Sequence, residues 1–198
     1  MNGSELAAVL DTACERLAST GDELRELDAE VGDGDLGITI TKGAAAVRTR
    51  LATLAADALP NEVVLAAVDA FGTANPSTYA SLVSSGVKAG AKATELTEVS
   101  TAEVVAFGRV VAETIARRGK SAVGDKTILD ALVPSLDAAE LSADGGALEA
   151  AITAAATGIA ETAAIAAKKG RAAWAGDRGS GVADAGATAY LRFLEALR

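Results

Sequence analysis

The sequence predicts an all-α protein. Half of its 198 residues are apolar but only 3% are aromatic, so the core must be aliphatic and rich in alanine. Alanine favours helices most strongly, and leucine ranks close behind it. Apolar residues recur at helical spacing between glycine and proline breaks, and no stretch alternates with a period of two for long enough to indicate a strand.

Eight helical segments follow from this periodicity, within a single domain of residues 1–198. Ser4 is placed to cap the first segment, which we expect to break near Gly21. The apolar run at 63–68 lies inside a helical pattern rather than a strand. In chain order, the predicted spans are 4–27, 38–58, 62–74, 77–96, 101–117, 127–140, 145–168 and 185–197.

The connections between these helices are of two kinds. Three are short and chemically plain, at 59–61, 97–100 and 141–144. The other four concentrate glycine, serine and charge, at 28–37, 75–77 running into 84–86, 118–126 and 169–184. In an up-and-down bundle alternate loops share one end, and these four are the first, third, fifth and seventh. We therefore expect them to form one functional end, called the mouth here; four unrelated glycine-rich connections are the alternative.

Charge and composition exclude several classes of function. The net charge of -9 argues against non-specific binding to nucleic acid or to an anionic membrane surface. With no histidine, the chain has no Ser-His-Asp triad, no His-containing zinc site and no histidine general base. The single cysteine, Cys14, shares a helical face with Leu10 and Leu17, which indicates a core thiol and a reducing compartment. No apolar run reaches about 18 residues, and the N-terminal segment carries acids where a signal peptide would carry basic residues. We therefore expect a cytoplasmic protein.

The strongest local motif is the acidic, glycine-rich segment at 28–37. Three aspartates, Asp28, Asp33 and Asp35, lie within eight residues together with a glutamate. Glycine lets the backbone turn back so that such carboxylates converge, and convergent carboxylates without His or Cys suit Mg²⁺ and a nucleotide phosphate. An EF-hand fails because its twelfth position is Thr39 or Ala44. A dinucleotide fingerprint fails because a helix end, not a strand, precedes the glycines.

The segment at 118–126 contains a lysine and serine after glycine but is no P-loop, because Thr114 stands where that motif needs glycine. The next residues, at 124–127, either present helix amides to an anion or only cap a helix through Asp125 or Thr127.

The last connection supplies the positive charge that the first one lacks. Lys168 and Lys169 are placed to complement a helix C-terminus. Arg171 and Arg178, flanked by glycines, are better placed to grip phosphate oxygens. Trp174, the single tryptophan, either walls an adenine pocket or plugs the mouth.

These segments together resemble the L subunit of dihydroxyacetone kinase. The resemblance is carried by LDAEVGDGDLG, SSGVKAG, RGKSAVGDKTILDALVP and KKGRAAWAGDRGSGVADAGATA, from residue 27 to residue 189. It implies an antiparallel barrel of eight helices with ADP or ATP at one end, and two Mg²⁺ ions held by Asp28, Asp33 and Asp35. Arg178 is our candidate catalytic residue for steadying the transferred group; a salt bridge with Asp177 or Asp184 is its plainer role. The implied nucleotide contacts are Leu36, Gly37, Ile38, Thr39, Ser84, Ser85, Gly119, Ile128, Arg171, Asp184, Ala185 and Gly186.

The resemblance also implies a partner. In that family the ketose is bound covalently by a histidine of a separate K subunit, and in one version a phosphotransferase-system M subunit rephosphorylates bound ADP. A homodimer is a further assembly that we consider. The family usually has histidine at position 36 and asparagine at position 39, where this chain has Leu36 and Thr39, and histidine in place of Val182. Three alternatives therefore stay open. The chain could belong to a kinase of a four-carbon ketose such as erythrulose, to a fatty acid kinase, or to a non-catalytic relic of the fold.

Overall fold

The computed structural model describes residues 1–142 and 145–198. Within these residues the chain forms nine α-helices and no strand. The side chains of Arg171, Ala175, Asp177 and Arg178 also lie outside this description. The predicted all-α class is confirmed. The helices are α1 (Gly3–Ala18), α2 (Gly21–Val31), α3 (Leu36–Leu51), α4 (Pro60–Ala74), α5 (Thr78–Thr94), α6 (Thr101–Gly119), α7 (Leu129–Leu141), α8 (Ala147–Ala163) and α9 (Ala185–Ala196), with a kinked 3₁₀ segment at Arg171–Gly179.

The first predicted span is two helices, as the expected break near Gly21 required. α1 ends at Ala18 and α2 begins at Gly21. Gly21 is buried against Thr41 of α3, and a side chain on it would collide with the Thr41 hydroxyl. A side chain on Gly37 would in turn collide with the Gly21 carbonyl oxygen. These two glycines therefore let α2 and α3 approach closely, which positions the acidic loop between them.

Two helices end five or more residues earlier than predicted. The span 38–58 stops at Leu51, because Thr53 N and Leu54 N donate to carbonyls only three residues back, which tightens the helix into a turn. The span 145–168 stops at Ala163, whose carbonyl accepts hydrogen bonds from Gly181 N at 2.8 Å and from Lys126 Nζ at 2.9 Å. Tertiary donors thus replace the helical donors that would have continued α8.

The helices close into a ring. Helices that follow one another from α2 to α9 pack together, and α9 returns to contact α1. At the end away from the acidic loop, Met1 N donates to Val99 O between α5 and α6, and Arg198 pairs with Glu149 at the start of α8. Both residues 1 and 198 therefore lie at this far end.

The core is aliphatic and alanine-rich, as the composition predicts. Cys14 is buried in it with Val47, Leu51 and Val63. Burial raises the pKa of the Cys14 thiol to about 11, so it stays protonated and behaves as a small apolar side chain. Among the described residues, no helix combines the length and apolarity needed to span a bilayer.

Candidate functional site

The four glycine-rich connections meet at one end of the ring, the predicted mouth. Numbered among themselves in chain order, the first to fourth of these connections occupy residues 32–35, 75–77, 120–128 and 164–184. Asn75 Nδ2 donates to Thr39 Oγ1 at 2.9 Å, which joins the second connection to the start of α3. Lys168 N donates to Asp125 O at 3.1 Å, which joins the third connection to the fourth. The alternation of the connections along the chain thus predicted their position correctly.

Three carboxylates converge where α2 ends and α3 begins. One oxygen each of Asp28, Asp33 and Asp35 lies within 4.8 Å of the others. Asp28 comes from the last turn of α2 and Asp35 is the residue before α3, so two helix ends hold the cluster. Leu36 N, the first amide of α3, donates to Asp28 Oδ2 at 3.2 Å and orients that side chain. Asp33 is exposed and the other two are partly buried.

Glycines make this convergence possible. Gly34 has a φ of 72°, in the left-handed region that disfavours a side chain. A Cβ on Gly32 would lie 2.6 Å from Asp28 Oδ1, so any larger residue would displace this carboxylate. The spacing of the glycines therefore allows the two aspartates of the loop to approach Asp28.

The electrostatics of the cluster favour a cation. Burial raises the pKa of Asp35 above its ordinary value, and the negative charge of Asp28 raises it further. Both effects disfavour a second negative charge, and a divalent cation between the carboxylates would reverse them. Carboxylate oxygens are the donors that Mg²⁺ and Ca²⁺ prefer, so the residues present fit a hard cation.

An open cavity of about 550 Å³, lined by both polar and apolar residues, lies next to the second connection. Thr39, fully buried one turn into α3, accepts a hydrogen bond from Asn75, and the residues after Asn75 form one wall of the cavity. Arg118, near the end of α6, lies on its lining. Pro76, Ser77, Thr78, Ser81, Leu82 and Arg118 line the cavity. Asn75 thus connects Thr39, in the first turn of α3, to the residues that line this cavity.

The turn at 124–127 is held from within the protein. Asp130, only 2% exposed, accepts hydrogen bonds from Gly124 N at 2.5 Å and from Thr127 N at 2.7 Å. Asp125 accepts from Ala122 N at 3.0 Å and pairs with Lys168. Of the two interpretations of this segment, internal capping accounts for these amides, although the principal acceptor is Asp130 rather than Asp125 or Thr127.

Asp184 lies where the fourth connection enters α9. Its Oδ2 accepts from Ala187 N at 2.7 Å, so it caps this helix. Burial raises the pKa of Asp184 to about 6, and the negative charge of Asp130 adds to the effect, whereas the Ala187 amide and Lys126 oppose it. The mouth therefore contains a carboxyl group that gains a proton under mildly acidic conditions.

Sequence comparison identifies the family to which this architecture belongs. The profile of the DAK2 domain matches residues 30–198. This chain is a member of the DAK2 domain family. The ADP-binding subunit DhaL of the PEP-dependent dihydroxyacetone kinase of Escherichia coli is 30% identical over 197 residues, covering 94% of this chain and 91% of that subunit.

Longer relatives contain the domain as one part of a larger chain. The D-erythrulose kinase of Mycolicibacterium smegmatis is 34% identical over 92% of this chain, which spans 33% of that enzyme. The dihydroxyacetone kinase of C. freundii, solved in complex with AMP-PNP and Mg²⁺, superposes with a TM-score of 0.77 at 22% identity. That superposition covers 96% of this chain and 33% of the other, and it shows a shared fold.

Most of the residues predicted to contact a nucleotide lie at the mouth of this DAK2 domain. Gly119 ends α6 and Ile128 directly precedes α7. Four predicted contacts lie in the first turn of α3, where Ile38 is 46% exposed and the other three are buried. That set is Leu36, Gly37, Ile38 and Thr39, and the set at the start of α9 is Asp184, Ala185 and Gly186.

Ser84 and Ser85 lie deeper, in the middle of α5. The Ser84 hydroxyl is buried without a hydrogen-bond partner and faces Gly72 of α4, where an added Cβ would lie 2.6 Å from it. Ser85 Oγ donates to Ser81 O at 2.7 Å. The serines that line the cavity are instead Ser77 and Ser81, one turn or more closer to the mouth.

The side chains of Arg171 and Arg178 lie outside the described part of the chain, so their predicted roles stay predictions. Trp174 is described and is 87% exposed, so it does not plug the mouth. Sequence reasoning missed Asn75, Lys126 and Asp130. The signal for Asp130 was available, because it is a lone acid inside the apolar run that begins α7.

Proposed function

We propose that this DAK2 domain is the nucleotide-binding subunit of a dihydroxyacetone-type kinase, which binds ADP or ATP through Mg²⁺ on Asp28, Asp33 and Asp35. The observation that carries the proposal is the approach of these carboxylates to within 4.8 Å of one another. The DhaL relative, described as an ADP-binding subunit, supports the same role. Two Mg²⁺ ions fit the proposal better than one, because three carboxylates and two or more phosphate groups supply many oxygen donors.

The nucleotide would run from the carboxylates toward the cavity at the second connection. Its phosphates would lie at the start of α3, near Leu36, Gly37, Ile38 and Thr39, and its nucleoside beside Pro76 and Ser77. Gly119 borders this cavity, because a Cβ on it would lie 3.8 Å from Leu82. We place the remaining contacts at Ile128, Asp184, Ala185 and Gly186, and assign Ser84 and Ser85 an indirect role through the packing of α5.

Phosphoryl transfer requires charge neutralisation, a grip on the phosphate oxygens and an oriented acceptor hydroxyl. Asp28, Asp33 and Asp35 would hold Mg²⁺, which would supply positive charge against the phosphates. Arg171 and Arg178, carried by the fourth connection, are the cations proposed to hold those oxygens, with Arg178 steadying the transferred group. The Leu36 amide orients the Asp28 carboxylate, so the protein itself positions this one of the three proposed ligands.

The acceptor would come from a partner. The chain has no histidine to bind a ketose covalently, so we propose that a K-type subunit presents the sugar at the mouth. If ADP stays bound between turnovers, a phosphotransferase-system M-type subunit would donate the phosphoryl group that converts it back to ATP. Erythrulose is the second candidate substrate, since an erythrulose kinase is 34% identical to this chain over the shared region.

Calorimetry with Mg·ADP tests the nucleotide site. Asp33→Asn removes one charge from the cluster with little change in shape, and we expect it to abolish measurable binding. Asp22→Asn is the matched control, because Asp22 lies on α2 with a side chain that is 90% exposed and paired only with Arg25 outside the cluster. Unchanged binding by Asp33→Asn, or full affinity of the natural protein in EDTA, would refute the metal bridge. Absence of binding by the natural protein would favour a non-catalytic relic.

A further inference from the structure

Lys126 is a buried lysine whose ammonium group lies at the base of the connection 164–184. The residue is 3% exposed. Its Nζ donates to Ala163 O at 2.9 Å, to Ile165 O at 2.8 Å and to Gly179 O at 2.7 Å. An ammonium group has three donors, so all of them are satisfied by backbone carbonyls from both ends of this connection.

Burial disfavours the positive charge of Lys126, and the groups around its ammonium oppose that effect. Ala163 is the last residue of α8, where unpaired carbonyls concentrate the negative end of the helix dipole. Burial lowers the pKa of Lys126, and the negative charge of Asp184 opposes this shift. Hydrogen bonds to three carbonyl oxygens also favour the charged form. Among the described side chains no carboxylate pairs with Lys126 directly, so carbonyl dipoles hold its ammonium group.

The backbone directs this side chain inward. Lys126 has a φ of 61°, in the left-handed region, and the Asp130 carboxylate holds the residues on either side of it through Gly124 N and Thr127 N. Lys120, in the same α6–α7 connection, has a similar φ of 50° but an exposed side chain. A left-handed lysine is thus not buried by its backbone conformation alone. Lys126 differs from Lys120 in having three carbonyl acceptors within reach of its ammonium, in a turn that Asp130 holds on both sides.

Two further contacts close the same base. Gly181 N donates to Ala163 O at 2.8 Å, and Ser180 Oγ donates to Ala164 O at 2.6 Å. Residues 163–165 and 179–181 therefore lie side by side, and the intervening segment leaves and re-enters the fold at one point. Lys126 is the group that ties this point to the α6–α7 connection from inside.

We propose that Lys126 is a positioning residue, which closes the base of the connection 164–184 and so holds the segment that bears Arg171 and Arg178 at the mouth. The role of the two arginines rests on the proposed function; the closure rests on the hydrogen bonds that Lys126, Ser180 and Gly181 make at this base and is independent of that function. Without the ammonium group, the Ile165 carbonyl loses its donor, and the carbonyls of Ala163 and Gly179 keep only their backbone donors, Gly181 N and Val182 N. The connection is then held less firmly and opens locally while the helices stay packed.

Limited trypsin digestion tests the closure, because residues 168, 169, 171 and 178 are cleavage sites within the segment. We expect Lys126→Met to be cut there at least about tenfold faster than the natural protein, since cleavage follows the population of the open form. Lys120→Met is the matched control and should be cut at the natural rate. Mass spectrometry assigns the cleaved bonds, and far-UV circular dichroism shows whether the helices are intact.

Nucleotide affinity tests the positioning. Lys126→Met should bind Mg·ADP about tenfold more weakly, and Lys120→Met should bind it normally, whereas a purely structural lysine would change thermal stability alone. Natural cleavage rates in a folded Lys126→Met protein would overturn the closure, and faster cleavage with unchanged affinity would overturn the positioning role. If Lys126→Met does not fold, Ser180→Ala decides: faster cutting at the same bonds supports the closure, and the natural rate overturns it. If the natural protein fails to bind Mg·ADP, the proposed function fails, while the digestion still decides the closure.

Discussion

The Leu36 backbone amide donates a hydrogen bond to the Asp28 carboxylate at 3.2 Å, across the loop that joins α2 to α3. The first turn of α3 therefore orients a carboxylate of the preceding helix, while Asp35, at the position before α3, makes no side-chain capping bond to it. An amide that would ordinarily be capped by a neighbouring side chain is used to arrange the acidic cluster. This relationship makes the geometry of the cluster depend on the close approach of the two helices.

Gly32→Ala and Gly37→Ala should separate ligand binding from stability. A Cβ at position 32 would displace the Asp28 carboxylate, whose Oδ1 lies 2.6 Å away, so we expect weaker Mg·ADP binding with a small loss of stability. A Cβ at position 37 would strike the Gly21 carbonyl and the Arg25 backbone, so we expect a loss of about 1–3 kcal/mol in the free energy of unfolding. Calorimetry and urea denaturation measure the two effects, and equal losses of stability in both variants would contradict this assignment.

Mg·ADP should raise the melting temperature. A ligand that binds only the folded state at about a hundred times its Kd adds about 2.7 kcal/mol, which corresponds to roughly 5–10 °C for a domain of this size. Mg²⁺ alone should raise it less, because the phosphates complete the coordination. Differential scanning fluorimetry checks this, and an equal shift with Ca²⁺ in the absence of nucleotide would indicate a plain calcium site.

Asp184→Asn should stabilise the protein above neutral pH more than at pH 4. Burial raises the pKa of Asp184 from 3.8 in the unfolded chain to about 6 in the fold. Between pH 3.8 and about pH 6, Asp184 is protonated in the folded state but ionised in the unfolded chain. The free energy of unfolding therefore falls as the pH rises through this range, and the whole contribution of the proton is lost above about pH 6. Asparagine keeps an acceptor for the Ala187 amide and removes this dependence, worth up to about 3 kcal/mol. Urea denaturation at pH 4 and pH 7.5 gives the difference; a benefit that is equal at both values would refute it.

Arg178→Ala should bind Mg·ADP almost normally yet reduce turnover of a complex reconstituted with a K-type subunit by roughly a hundredfold or more. The expected loss is that of one charge-stabilising donor in phosphoryl transfer. Lys169→Ala is the control, because Lys169 is an exposed cation of the same connection. Sugar phosphate formation from dihydroxyacetone and erythrulose is the measurement. Normal turnover by Arg178→Ala would assign the residue to the plainer loop salt bridge, and turnover by the natural chain alone would refute the need for a partner.

The periodic apolar pattern predicted the helices because each one packs a continuous apolar face, and the alternation of loop chemistry predicted the mouth. The helix ends were less predictable. α8 ends where Lys126 and Gly181 take its carbonyl, and these donors come from distant parts of the chain. The convergence of the three aspartates followed from the glycines between them, which is local information.

Contacts between connections were not predictable from local sequence. The bond from Asn75 to Thr39 joins residues that are 36 positions apart, and neither residue type singles out the other. Lys126 stands in a charged, glycine-containing turn that is typical of the surface, and the carbonyls that accept from its buried ammonium lie 37 to 53 positions away in the chain. Ser84 and Ser85 were predicted to contact the nucleotide because of the family resemblance. In the structure they lie on α5 one turn or more further from the mouth than the serines that line the cavity.

The position of residues 1 and 198, both at the far end of the ring, has a practical consequence for attachment. A tag, a tether to a sensor surface or a second folded module joined at either residue would extend away from the acidic loop. Such fusions should leave ligand access unobstructed, so that immobilised protein can be used for binding kinetics. The same geometry would let a longer polypeptide carry this ring at the end of a linker with its working face directed outward.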